Sequence, residues 1–205
     1  MLTRIVEDRV YDYGHVVGGR IFMGVYTIAL GHGSNVFAIV RGPYSAKVVK
    51  LTIGEIPDDE EIIVEFGERG EGSGQFTWPA GIAVDSQENV FVTDEWLHRV
   101  SVFTADGEFL RTFGSAGNGE GQFNRPSGIT IDSNDDIYIS DSLNHRIQKV
   151  SNDGRFINQW GSHGADAGEF NSPWGITADG QGHVYVADHK NHRIQKFNAD
   201  GEFVF

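Results

Sequence analysis

The sequence predicts an all-β fold built from tandem four-stranded units. Three observations carry this: a fixed internal period, strand-type patterning inside each period, and no apolar recurrence at helical spacing. Asp94, Asp141 and Asp188 recur at an interval of 47 residues. Pro79, Pro126 and Pro173 keep the same interval, as do Gly67, Gly114 and Gly161, and Gly107, Gly154 and Gly201. Four independent markers in one register, without an insertion, define 65–111, 112–158 and 159–205 as copies of one supersecondary unit. A repeat of this length outranks any local motif in deciding the fold.

The middle copy shows the elements in order. Gly128 to Asp132 is a first strand, and "SNDD" turns it into Ile137-Tyr138-Ile139-Ser140, where β-branched and aromatic residues dominate. After the "DSLN" turn, Arg146 to Val150 alternates polar and apolar, which predicts a half-buried third strand. "SNDG" is a turn signal with glycine where positive φ is needed. Phe156 to Trp160 is then the fourth strand. Each repeat is thus a four-stranded antiparallel meander.

Between meanders lie glycine-rich connections, "FGERGEGSGQF", "FGSAGNGEGQF" and "WGSHGADAGEF". Meanders joined from outer strand to inner strand build a β-propeller, each sheet a blade around a central channel. Phe76, Phe123 and Phe170 close the three connections, where an aromatic packs between adjacent blades.

The Asp preceding "NHRIQ", the P-x-G-I strand and the F-G-x-x-G crossover together resemble the NHL-repeat family over 65–205. The resemblance implies a six-bladed propeller that uses this Asp and Arg at the turn between second and third strands. Asp94, His98 and Arg99, then Asp141, Asn144, His145 and Arg146, then Asp188, Asn191, His192 and Arg193 are accordingly expected to be structural. The carboxylate accepts turn N–H groups and the Arg pairs nearby.

Residues 13–64 form a degenerate blade. Asn35-Val36-Phe37 aligns with Asn89-Val90-Phe91, Lys47 to Leu51 stands as the third strand, and Ile62 to Phe66 as the fourth. Neither the Asp nor the His-Arg is present, so this turn must close differently. Acidic "PDDEE" at 57–61 reads as a solvated loop. Residues 1–12 are an N-terminal segment, and 8–14 are expected either to supply an outer strand to a neighbouring blade or to be a frayed terminus. About four blades are therefore expected, as a fragment of a six-bladed propeller, the alternatives being four-bladed closure or pairing with another chain.

The chain has 205 residues, 27 glycines and no cysteine, which suits a turn-rich β protein and excludes disulfides and thiolate metal sites. No signal peptide or membrane span is visible in this sequence, and its compartment is not specified. The net charge of −13 opposes phosphate backbones, so nucleic acid is disfavoured as a partner. Glycine runs such as "GEGSG" imitate phosphate loops, but no helix follows them.

Catalysis finds little support in the residues. The resemblance implies peptidyl-hydroxyglycine lyases as catalytic relatives, which place a zinc-binding His after the Pro that opens the inner strand. Here Ala80, Ser127 and Trp174 stand there, and none is a zinc ligand. No metal site or cofactor is identified. Asp85, Asp132 and Asp179 end the inner strands in one register, as turn caps would.

Variable positions remain. Trp78, Arg125 and Ser172 precede the Pro, and Glu95-Trp96, Ser142-Leu143 and His189-Lys190 fill the turn. A rigid scaffold that presents variable loops is a recognition surface. The expected function is a non-enzymatic recognition or scaffold domain binding a protein, peptide or glycan, with Trp78, Trp96, Arg125, Trp174, His189 and Lys190 as its binding residues. The alternative is a metal-dependent lyase or lactonase-like hydrolase whose ligands lie on blades outside this chain.

Overall fold

The computed structural model describes residues 3–6, 9–12, 24–53 and 61–205. Strands β1 (Thr3–Val6) and β2 (Arg9–Asp12) form a two-stranded antiparallel sheet. The stretch expected to edge a neighbouring blade therefore pairs with the residues just before it. Asp8, Tyr13 and Gly14 of that stretch lie outside the described residues, as do 57–60 of the acidic loop.

Four antiparallel sheets follow in chain order. The first contains β3 (Val25–Leu30), β4 (Asn35–Gly42), β5 (Ser45–Thr52) and β6 (Glu61–Phe66). Its β4–β5 turn is a tight hairpin across Pro43-Tyr44, with Gly42 opposite Ser45, so the absent Asp and His-Arg are replaced by longer strands. The short strands β7 (Glu68–Arg69) and β8 (Gln75–Phe76) pair in parallel across the first crossover. The second sheet contains β9 (Pro79–Val84), β10 (Val90–Asp94), β11 (Arg99–Phe103) and β12 (Phe109–Phe113). The third contains β13 (Pro126–Ile131), β14 (Ile137–Asp141), β15 (Arg146–Val150) and β16 (Phe156–Trp160). The fourth contains β17 (Pro173–Ala178), β18 (Val184–Asp188) and β19 (Arg193–Phe197), with an antiparallel bridge from Phe197 to Phe203. The only helical turns among the described residues are three-residue 3-10 turns, Ser142–Asn144 and His189–Asn191.

The first strand of each sheet is innermost. β3, β9, β13 and β17 pack side by side in that order and line a central cavity of about 510 Å³. The sheets are therefore blades, and the core lies between them. Phe37, Ile39 and Val48 of the first blade meet Phe76, Val90, Val92 and Phe103 of the second. Phe91 and Val100 on the opposite face of the second meet Phe123, Ile137 and Ile139 of the third. Tyr138 and Ile147 meet Phe170, Val184 and Phe197 of the fourth. Phe76, Phe123 and Phe170 are each fully buried in these seams, a burial that stabilises by about 1.5–3 kcal/mol per side chain.

Because each middle blade is covered on both sides, β15 differs from its sequence expectation. The polar alternation predicted a half-buried strand, yet Arg146, Ile147 and Gln148 are all buried. Gln148 is tolerated because its amide bonds the Gln122 carbonyl and Asp141, while its Oε1 accepts Gly121 N–H. The fourth blade is covered on one side only. Val100 and Ile147 are 0% exposed, whereas Ile194, at the same repeat position, is 58% exposed.

Turns between third and fourth strands lock each blade to the one before it. Gly154 sits at φ +88, and a Cβ there would lie 2.6 Å from the Phe113 ring at the end of the preceding blade. Only glycine satisfies both the left-handed backbone and the close approach.

Candidate functional site

The repeated Asp, Asn, His and Arg side chains form an internal clamp under the loop face. Asp141 is fully buried and accepts from Asn124 N–H (2.6 Å), Asn144 (2.9 Å), Arg146 Nε (2.8 Å) and Gln148 (3.1 Å). Arg146 then reaches the crossover carbonyls of Asn118, Gly119 and Gln122. Asp188, Asn191 and Arg193 repeat the pattern on Ala165, Asp166 and Glu169. The second blade has Leu97 and Ser101 where the others have Asn and Gln. Asp94 therefore takes four backbone N–H groups, those of Thr77, Trp78, Trp96 and Leu97, while Arg99 still holds the carbonyls of Glu71, Gly72 and Gln75.

The repeated His adds a link between blades. His98 Nδ1 accepts Arg125 N–H (3.2 Å) and His145 Nδ1 accepts Ser172 N–H (3.1 Å). Arg125 and Ser172 are thereby held at φ +56 and +54, in the left-handed region. The first blade has no such His, and Trp78 N–H turns to Asp94 instead. His192 is exposed. His145 also packs edge-on to His163, with ring centroids 4.4 Å apart. Burial first, then the charges of His163 and Lys190, hold the His145 pKa below the ordinary His value.

Above this clamp runs a groove with two lobes of about 270 and 190 Å³. Trp78, Trp96, Arg125 and Glu95 line the first lobe. Glu95 and Arg125 continue into the second, with Ser172, Trp174, His189 and Lys190. Of the six residues expected to bind, Trp78, Trp96 and Arg125 line the first lobe and Arg125, Trp174, His189 and Lys190 the second, with Glu95 and Arg125 common to both. Trp78, Trp96 and Trp174 are 49%, 58% and 38% exposed, so none is sealed against a neighbouring blade. Trp174 packs on His189 at 5.9 Å. Its backbone is fixed from below, where the buried Ser127 hydroxyl donates to its carbonyl (3.0 Å) and Ser142 Oγ to that of Pro173 (2.5 Å).

Two further residues were not among the expected binding residues. Arg41 stacks between Tyr26 (3.6 Å) and Trp78 (4.3 Å) and bonds the Pro79 carbonyl. It comes from the degenerate blade, where no repeat register marks it. Glu95 is 4% exposed and its Oε1 meets no hydrogen-bond donor. Burial pushes its carboxyl up from the ordinary Glu value, against the pull of Arg125 and Arg41. Its sequence signal is an acidic residue where the other copies have Ser142 and His189.

Asp85, Asp132 and Asp179 lie away from this groove and close the turns after the inner strands. Asp132, for example, accepts Asn134 and Asp136 N–H groups and the Tyr138 hydroxyl. Among the described residues no three His, Asp or Glu side chains gather as metal ligands, and no helix is long and apolar enough to cross a membrane.

Antiparallel blades, three of them four-stranded and the last three-stranded with a closing bridge, set in sequence around one cavity define a β-propeller. Three of the blades match the NHL repeat model, at residues 76–103, 123–150 and 170–197, so the chain carries three NHL repeats. Over 43 residues the chain is 44% identical to the Drosophila melanogaster protein brain tumor, and over 43 residues 46% identical to the B-box type zinc finger protein ncl-1 of Caenorhabditis elegans. Each match spans 21% of this chain but only 4% and 5% of those proteins. Among solved structures, the fold resembles a streptogramin B lyase (TM-score 0.59, 17% identity, 88% of this chain and 67% of that one). It also resembles a catalytically inactive virginiamycin B lyase from Staphylococcus aureus with quinupristin (TM-score 0.64, 19% identity, 98% and 61%). A nidogen/laminin complex gives a TM-score of 0.61 at 18% identity, covering 87% of this chain and 61% of the other. Identities this low establish the shared fold alone.

Proposed function

We propose that this chain is a non-enzymatic recognition domain that holds its partner, a protein, peptide or glycan, in the groove on its loop face. The observation that supports this reading is the convergence of Trp78, Trp96, Arg125, Trp174, His189 and Lys190, all from positions that vary between repeats. A residue required by the blade recurs at each copy, as Asp141 and Arg146 do; these do not. Exposed Trp and Arg are also the side chains that most often dominate binding energy, since they offer rigid area and forked donors. The test is to probe protein, peptide and glycan arrays with the wild type and with Trp96→Ala/Trp174→Ala. Ligands held by the wild type and lost by the variant, at an unchanged melting temperature, support the reading. Equal binding by both, or a collapse in melting temperature without a specific defect, overturns it.

A further inference from the structure

Resting on that recognition reading, we infer that the groove takes a neutral saccharide, anchored by a hydroxyl that donates to Glu95 and by a ring face laid on Trp96 or Trp174. The unpaired Glu95 Oε1 and the unpaired Ser172 Oγ, both buried, border the same lobe. Of the seven buried side-chain polar atoms without a partner among the described residues, these two are the ones that border the groove, where a donor can reach them from outside the chain. A carboxylate only accepts, so what meets it must be an N–H or O–H group.

Charge decides among the donors. A cationic side chain would complement Glu95 but would approach Arg125 and Lys190 in the groove and Arg41 behind Trp78, three positive charges against one free carboxylate. A polyanion would meet Glu95 directly, within a chain of net charge −13. A sugar hydroxyl carries no charge and both donates and accepts. One hydroxyl therefore serves Glu95 while its neighbours accept from Arg125 and Lys190. The weakly positive C–H face of a pyranose suits the negative face of an indole, and three indoles border this groove. The two lobes together have the size of a small-molecule cleft, in which a few placed polar groups fix orientation among aromatic walls.

The chain has four tryptophans and three of them line the groove, so intrinsic fluorescence reports occupancy directly. The probes are cellotriose, chitotriose, mannotriose and xylotriose, with N-acetyl-arginine-methylamide and a tetra-aspartate peptide as charged controls. At least one neutral trisaccharide is expected to shift the emission, with neither control doing so. Glu95→Gln is expected to weaken that binding by about ten- to a hundredfold, the usual effect of losing a hydrogen bond to a charged group. Trp96→Ala/Trp174→Ala is expected to abolish it, with neither variant melting below the wild type. Saccharide binding unaffected by Glu95→Gln overturns the anchor. A response to the arginine amide or the acidic peptide alone overturns the ligand class. If no trisaccharide binds while array ligands are still lost in the tryptophan variant, this inference fails and the recognition reading survives; if neither is seen, both fail.

Discussion

His145 Nδ1 accepts the backbone N–H of Ser172 across a blade boundary, at 3.1 Å. A ring nitrogen that accepts is unprotonated, so the link depends on the neutral imidazole. Its left-handed backbone, φ +54, and this bond tie the turn of one blade to the crossover of the next.

That link predicts a pH-sensitive stability. In the unfolded chain His145 protonates near pH 6.5, and in the fold at a lower pH. Between those values the unfolded chain binds the extra proton. Stability is therefore fully present above about 6.5 and is lost as pH falls through the folded pKa. Melting curves taken from pH 7.5 downward should show this loss, and His145→Gln, which keeps an acceptor without the titration, should flatten it.

Glu95 should show the opposite sign. Its carboxyl is raised, so ionisation costs the fold at neutral pH and protonation relieves it as pH falls. Glu95→Gln should melt at or above the wild-type temperature at pH 7, and the difference should narrow toward acid. A variant that melts well below wild type would mean the carboxylate is held by the fold rather than kept in spite of it.

The repeated Asp should not be equally costly to remove. Asp141→Ala leaves Arg146 buried without its partner, and breaking a buried pair costs about 3–5 kcal/mol. Asp94 has no ion pair and accepts only backbone donors, so Asp94→Ala should cost about 1–3 kcal/mol. Equilibrium denaturation of the two variants checks the order.

Phe123→Ala opens a cavity in the seam between second and third blades and should cost about 3–5 kcal/mol. Groove residues such as Trp96 should cost far less when truncated, since exposed substitutions usually fall within about 0.5 kcal/mol.

The blades were legible because Asp94, Asp141 and Asp188 and their companion markers hold one register, and every strand of 79–197 follows from it. The groove was partly legible, since variation against a fixed register exposed Trp78, Trp96 and Trp174. Arg41 was not, because the first blade carries none of the markers. Nor was the burial of Gln148, since polar alternation looks the same whether a face meets water or a hydrogen-bonded neighbour. Glu95 was visible as a variable position, but its unpaired oxygen is a property of three dimensions.

Ile194 shows what a strict period permits. Where Val100 and Ile147 are sealed by the following blade, Ile194 faces outward on a sheet of the same design. The seam is therefore written into each unit rather than into the whole, and one unit is as good a template as another. Lengthening by duplication needs no new interface: a copied 47-residue segment would arrive with its Phe, glycine turn and His already matched to the face it meets.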